Sequence, residues 1–259
     1  MDQNPEPSQS LIEWQNARAG KFTSSGISPL FVKGKGEMFG AGAKTYIRKK
    51  AHEILTGNSA DGGEKFKQTE WGNKNEAEAC EMFEAVVGKG IYYGNADPKF
   101  FELNDWAGGS PDWESIDIEW GADFKCPYDG AEHLNNLLIN SQAEFKKEHG
   151  DYYDQGQMNM KIRGWKRFYF VSYDPRMINP ALRLKIIEVL PDPEWIVDFD
   201  LRLPAAVSML KAYVDQVKKA TTFVKQGGEN IFPTIDEHVA AFMDVVSDPS
   251  SFDSNRLLF

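Results

Sequence analysis

Asp123-Phe124-Lys125-Cys126-Pro127 closes a stretch, 115–126, in which Ile116, Ile118, Trp120, Ala122 and Phe124 alternate with other residues. Alternation at period two marks a strand, and residues i and i+2 of a strand share a face. Asp123 and Lys125 therefore project together, while Phe124 turns to the opposite, core-facing side. Ser110-Pro111-Asp112 stands one bend upstream, at about a hairpin's length, so Asp112 reaches the same point. Two acids and a lysine at one strand end are what metal-assisted phosphodiester hydrolysis needs: oxygen ligands for Mg²⁺ and a positive charge beside the attacking water. Each piece alone is ordinary. An Asp-x-Lys on a strand is most often a solvent-facing ion pair, and Pro-Asp is a common turn.

The flanks supply order and context. Residues 69–87 carry helical spacing, with Ala79, Cys80, Phe83, Val86 and Val87 as an apolar stripe on which Glu76 also falls. A carboxylate facing a core or cleft is costly unless it is paired, protonated or near a metal. Helical patterns also cover 10–19, 44–55, most of 131–161 and 194–224, and strand patterns cover 91–93, 100–101, 168–173 and 182–190. Gly121 reads as a bulge in the 115–126 strand. No repeat or low-complexity tract interrupts this mixture. The simplest organisation is a disordered N-terminus at 1–10, one α/β domain at 11–225, and a C-terminal tail at 226–259 with a short helix near 237–246.

Composition narrows the function classes. The chain of 259 residues is long enough for a full core, and no apolar run approaches bilayer length. Its first residues lack a secretion signal, so a cytoplasmic location without membrane contact is expected. With only Cys80 and Cys126, a thiol-rich metal site is excluded. His52, His133, His149 and His238 are scattered and read as surface or core residues. The net charge of −10 argues against nucleic acid, but its distribution does not. Between Trp14 and Lys50, eight lysines and arginines face a single acid, Glu37. A basic arm on an acidic body can dock a phosphate backbone, although a solvated surface is the commoner meaning of such a run.

These residues resemble the PD-(D/E)xK nucleases, and within them the phage lambda-type exonucleases, or YqaJ-type viral recombinases. The resemblance spans about 14–177 in five blocks of the same order. Trp14-Gln15-Asn16-Ala17-Arg18-Ala19-Gly20-Lys21-Phe22-Thr23-Ser24-Ser25 is similar to W-x3-R-x-G-x2-T-A-S, and Glu70-Trp71-Gly72-Asn73-Lys74-Asn75-Glu76 to W-G-x3-E. Gly109-Ser110-Pro111-Asp112 is similar to the S-P-D turn, Asp123 to Pro127 to E-x-K-C-P, and Tyr152-x-x-Gln155-x-Gln157 to the helix that closes the site. Beyond these, Tyr169-Phe170-x-x-Tyr173-Asp174-Pro175-Arg176-Met177 resembles a further strand and turn of the lambda enzyme.

The resemblance implies a restriction-endonuclease-like core, a central mixed β-sheet flanked by helices. It implies Mg²⁺, with Mn²⁺ as a substitute, held by Asp112, Asp123 and the backbone carbonyl of Phe124, with Glu76 supporting directly or through water. Lys125 would orient or activate the water with Gln155 beside it, and Arg18 and Ser25 would hold a terminal 5′ phosphate. The implied activity is 5′-to-3′ digestion of one strand at double-stranded DNA ends, leaving 3′ overhangs for recombination. A ring-shaped homotrimer and a single-strand annealing protein as partner are implied with it. Three departures stand out: Asp123 in place of Glu, Trp113 in place of the glycine that often follows S-P-D, and Thr69 in place of an apolar strand-parting wedge, a role then left to another side chain in 38–66. The rival readings are a PD-(D/E)xK endonuclease or RecB-like nuclease, and a DNA-end-binding protein that no longer cleaves.

Overall fold

A computed structural model describes residues 8–59, 67–94 and 97–220. Most of the N-terminal segment 1–10, part of the 38–66 stretch and the whole 226–259 tail with its expected helix lie outside the described residues. The chain divides into two compact units, 1–207 and 208–259. The described elements in chain order are α1 (Gln9–Arg18), β1 (Phe22–Thr23), α2 (Ala41–Thr56), α3 (Lys67–Val87), β2 (Gly90–Tyr92), β3 (Phe101–Asn104), β4 (Ala107–Gly109), β5 (Trp113–Ser115), β6 (Trp120–Lys125), α4 (Gly130–Leu137), α5 (Gln142–Glu148), α6 (Gly150–Arg163), β7 (Arg167–Tyr173), β8 (Leu184–Val189) and α7 (Pro193–Lys218). No helix among the described residues is long and apolar enough to cross a membrane.

The main sheet has the order β2-β5-β6-β7-β8 and is mixed. Its central pair, β6 and β7, runs parallel, with Asp123 opposite Phe170 and Lys125 opposite Ser172; the other pairings are antiparallel. A parallel pair needs a crossover, supplied here by α4, α5 and α6. Central strands covered on both faces must bury both sets of alternating residues. On one face Ala122 and Phe124 meet α3 through Ala79, Cys80 and Phe83. Phe83 is fully buried and stands edge-on to Trp113 at 5.3 Å and to Phe124 at 5.6 Å. Burying such a ring contributes roughly 1.5–3 kcal/mol. On the other face lie α5 and α6, with Phe145 4.7 Å from Phe170.

The 115–126 stretch is not one strand. Its first residue, Ser115, ends β5, and the chain reverses before β6 begins at Trp120, making a hairpin. The alternation of Ile116 and Ile118 is misleading: both are exposed, and Ile118 has φ 59°. Polar groups dictate the reversal, as Ser115 Oγ bonds Asp117 and accepts the N–H of Glu119 at 3.1 Å. Gly121 is not a bulge either. It sits in register against Glu114 and Phe168, and a Cβ there would stand 2.0 Å from the Trp165 ring. Val86, expected on the buried stripe of α3, faces solvent.

A second sheet, β1-β4-β3, has no counterpart in the expected strands except β3. Its parallel pair joins Phe22 to Ala107 and Thr23 to Gly108. That pairing carries the end of α1 to the Ser110-Pro111-Asp112 turn.

Candidate active site

The site forms where β6 ends. Asp123 is 1% exposed and points to the α6 side, as the strand period requires. The turn and the strand lock each other. The Asp112 N–H donates to Asp123 Oδ1 at 3.3 Å, and the Phe124 N–H donates to Asp112 Oδ2 at 2.7 Å. Trp113, the residue that departs from the family pattern, begins β5 as a fully buried side chain and donates from Nε1 to Glu84 at 3.0 Å. The turn thus accommodates it by sending the indole into the core.

From α6, Gln155 donates to Asp123 Oδ2 at 2.6 Å and Asn159 to the same oxygen at 3.4 Å. Gln155 is therefore a partner of Asp123 as well as a neighbour of Lys125 in the cleft. Lys125 projects on the same side as Asp123, its Nζ 5.4 Å from the centre of the Tyr152 ring. Glu76 stands on α3 at the cleft wall and accepts from the Tyr92 hydroxyl at 2.9 Å. Among the described residues no three His, Cys, Asp or Glu side chains are gathered into one metal-holding group, and the Glu76 charge still acts on Asp123 and Lys125.

The electrostatics are those of two acids crowded into a poorly hydrated place. Burial raises the pKa of Asp112, with Lys125 and the Phe124 N–H opposing. Burial raises that of Asp123 too, and the Asp112 charge adds to the rise. For Lys125, burial favours the neutral amine, but the carboxylates of Asp112 and Asp123 outweigh it and hold the ammonium above its ordinary range. Two desolvated carboxylates beside one cation remain short of positive charge. A hard divalent ion relieves that shortage, and Mg²⁺ commonly takes only one or two protein carboxylates. The donor set therefore fits such an ion.

The arm reaches this cleft through α1. Trp14 Nε1 donates to Ser110 Oγ at 2.7 Å, tying the helix to the turn that carries Asp112. Arg18 is 6% exposed, lies over the Trp14 ring at 4.2 Å and directs Nη2 to Ser25 Oγ at 3.5 Å. Ser25 is exposed and lines the cleft with Glu76, Lys125 and Gln155. Between Arg18 and Ser25 the chain turns at Gly20, which has φ +73° and donates its N–H to Glu53 Oε2 at 2.8 Å. Glu53 is itself buried and paired with Lys50 at 3.0 Å. Only glycine suits that backbone, because a Cβ would also stand 2.6 Å from Ile54.

Several participants carry no local signal in the sequence. Asn159 and Tyr92 act by long-range geometry, and Lys50 and Glu53 look like ordinary surface charges of a helix. Thr69 is exposed at the cleft edge. The described histidines stay outside: His133 is buried between Ser172 Oγ and the Leu182 carbonyl, both at 2.8 Å, and His149 meets Asn136 at 2.6 Å, while His238 lies outside the described residues. Cys80 and Cys126 are free and buried in the core cluster.

Neither a scan against protein-family models nor a search of curated proteins gives a match. Solved structures do. An alkaline exonuclease from Laribacter hongkongensis superposes with a TM-score of 0.66 at 22% identity, over 80% of this chain and 96% of that one. The same enzyme in complex with dAMP gives the same values. A phage-related exonuclease from Haemophilus somnus 129PT superposes with a TM-score of 0.62 at 20% identity, over 76% of this chain and 96% of that one. The mixed α/β fold of this chain is thus similar to that of these exonucleases.

Proposed function

We propose that the protein is a Mg²⁺-dependent nuclease that digests duplex DNA from an end, 5′ to 3′, leaving a 3′ single-stranded overhang for recombination. The observation that carries the reading is a cleft of about 520 Å³ lined by Ser25, Glu76, Lys125 and Gln155, with the Asp112–Asp123 pair tied to its wall through Gln155 and Arg18 reaching its Ser25. The likeness in fold to exonucleases supports it, and the polarity and product follow from the resemblance in sequence.

Asp112, Asp123 and the Phe124 carbonyl would hold the metal, with Glu76 acting through water. A bound Mg²⁺ supplies Lewis-acid polarisation of the phosphoryl oxygen and lowers the pKa of a bound water. The protein's own groups do the rest. Lys125 presents a fixed positive charge where negative charge builds on the phosphate, and Gln155 and Asn159 hold the Asp123 carboxylate in one rotamer. Arg18 and Ser25 present a guanidinium and a hydroxyl to the terminal phosphate, which sets the nucleotide to be removed.

Two other readings share these groups. An endonuclease or RecB-like nuclease would use the same metal pair, and an end-binding protein would use only the Arg18 side. Buried acids beside a phosphate path weaken binding unless a cation joins them, which favours catalysis. The test is incubation of linear and circular duplex with Mg²⁺ or with chelator. Loss of linear DNA alone, in Mg²⁺ alone, is expected, and Asp112→Asn should abolish it while end binding persists. Cleavage of circles would favour the endonuclease, and binding without any cleavage would favour the end-binding protein.

A further inference from the structure

The Tyr173-Asp174-Pro175-Arg176-Met177 turn has no part in the metal chemistry, yet it is built tightly against the cleft. Arg176 donates from Nε and Nη2 to the Asp174 carboxylate, each at 2.8 Å. The same guanidinium donates to the carbonyls of Pro127 at 3.2 Å and Tyr128 at 3.0 Å, and lies 4.6 Å from the centre of the Trp71 ring. Immediately beyond Tyr128, Asp129 caps α4 by accepting the Ala131 N–H at 2.9 Å. Both sides of Tyr128 are therefore fixed, three residues after Lys125.

The ring so held is not buried. Tyr128 is 48% exposed and lines the cleft, with Trp71 edge-to-face behind it at 6.2 Å and 83°. An exposed aromatic on a surface loop normally sits on a mobile backbone. Here an arginine–carboxylate clamp and a helix cap immobilise one whose ring stays open to the cleft. Rigid aromatic surface binds planar apolar groups at low entropic cost, and a nucleobase is such a group.

We propose that Tyr128 is a nucleobase-stacking platform, receiving the base of the 5′-terminal nucleotide, whose 3′-side scissile phosphate lies at Lys125, with Arg176 and Asp174 as positioning residues. The proposal rests on the nuclease reading and deepens it by naming how the substrate is held. Every base offers a π-face, so the platform tolerates any sequence, as end degradation requires.

The test places 2-aminopurine at the 5′-terminal nucleotide of a duplex and follows its fluorescence on binding in chelator, where no cleavage occurs. Stacking should quench the probe with the wild type and with Tyr128→Phe, but not with Tyr128→Ala. In Mg²⁺, Tyr128→Ala should raise KM about tenfold or more with kcat changed less than about threefold. A wild-type substrate with an abasic terminal nucleotide should show the same loss, with no variant needed. Equal quenching by Tyr128→Ala, or unchanged KM on the abasic end, would overturn the platform. Quenching without cleavage in Mg²⁺ rejects the nuclease reading and keeps the platform; cleavage without quenching does the reverse.

Discussion

Arg18 is almost fully buried at the end of a helix whose other residues are exposed or half-buried. A guanidinium keeps its charge when desolvated, so its place has to be justified by what it faces. Its plane stacks on Trp14, and its Nη2 meets Ser25 at the cleft. On the phosphate-anchor reading, Arg18→Ala removes a charge-assisted contact of roughly 2–4 kcal/mol, tens- to several hundred-fold in rate. The loss should fall on 5′-phosphorylated ends, because a 5′-hydroxyl end never makes the contact. Initial rates on the two ends at one fixed salt concentration check this, and an equal loss on both would reject the anchor. The same scale shows what the residue pattern discloses. Asp123 and Lys125 on one face, and Asp112 within reach, follow from strand geometry alone. That Gln155 bonds Asp123, and that Tyr92 holds Glu76, depends on how α6 and α3 approach the sheet, which no local spacing encodes.

Elements are placed by a few close approaches and polar ties. Gly121 lets Trp165 lie directly on β6, so Gly121→Ala forces either the indole or the central strand to move. Overpacking of this kind costs about 1–3 kcal/mol, and the change should appear as a lower midpoint in urea unfolding with an unchanged slope. Asp192 ties three helices. It accepts from Lys146 of α5 at 2.8 Å and Tyr153 of α6 at 2.9 Å, and from the Glu194 N–H at the start of α7 at 3.0 Å. Burial works to raise its pKa, but Lys146, the Tyr153 hydroxyl and the Trp195 N–H at 3.2 Å outweigh it and bring the carboxyl down to about 2. A pKa below the unfolded value means the stabilisation is complete above about pH 4 and is lost as pH falls through about 2. Asp192→Asn should flatten stability against pH in that window, as measured by denaturant unfolding at a series of pH values. The helices α3 and α7 were legible because their apolar periods are long, whereas the 131–161 stretch divides into the short α4 and α5 and the α6 helix buried from Tyr153 to Met160. The β5–β6 hairpin was not legible, since exposed Ile116 and Ile118 mimic a strand while Ser115 and Asp117 make the turn. The strands β1 and β4 are two and three residues long, too short to show any period.

On the nuclease reading, a chain of net charge −10 has to hold DNA. The arm's eight cations overstate its reach. Lys21 pairs with Glu102, Lys44 with Glu37 and Lys50 with Glu53, and Arg18 is turned inward. Lys33, Lys35, Arg48 and Lys49 are left exposed to meet phosphates. Each phosphate neutralised contributes through released counterions, so four cations give weak, salt-sensitive attachment against the repulsion of an acidic body. Several copies closed around one duplex would multiply the positive lining without adding acid to it, and closed rings are the ordinary outcome of a repeated head-to-tail interface. The resemblance to the lambda-type exonucleases sets the number of copies at three, arms inward, and on that proposal light scattering should give three times the chain mass. Charge reversal at Lys33 and Lys35 should then shorten the tract digested per binding event more than it slows the first cleavage, because the lining acts after the end has been engaged. A monomer mass with long tracts intact would mean that the four exposed cations of one copy suffice, and the charge asymmetry would need no ring.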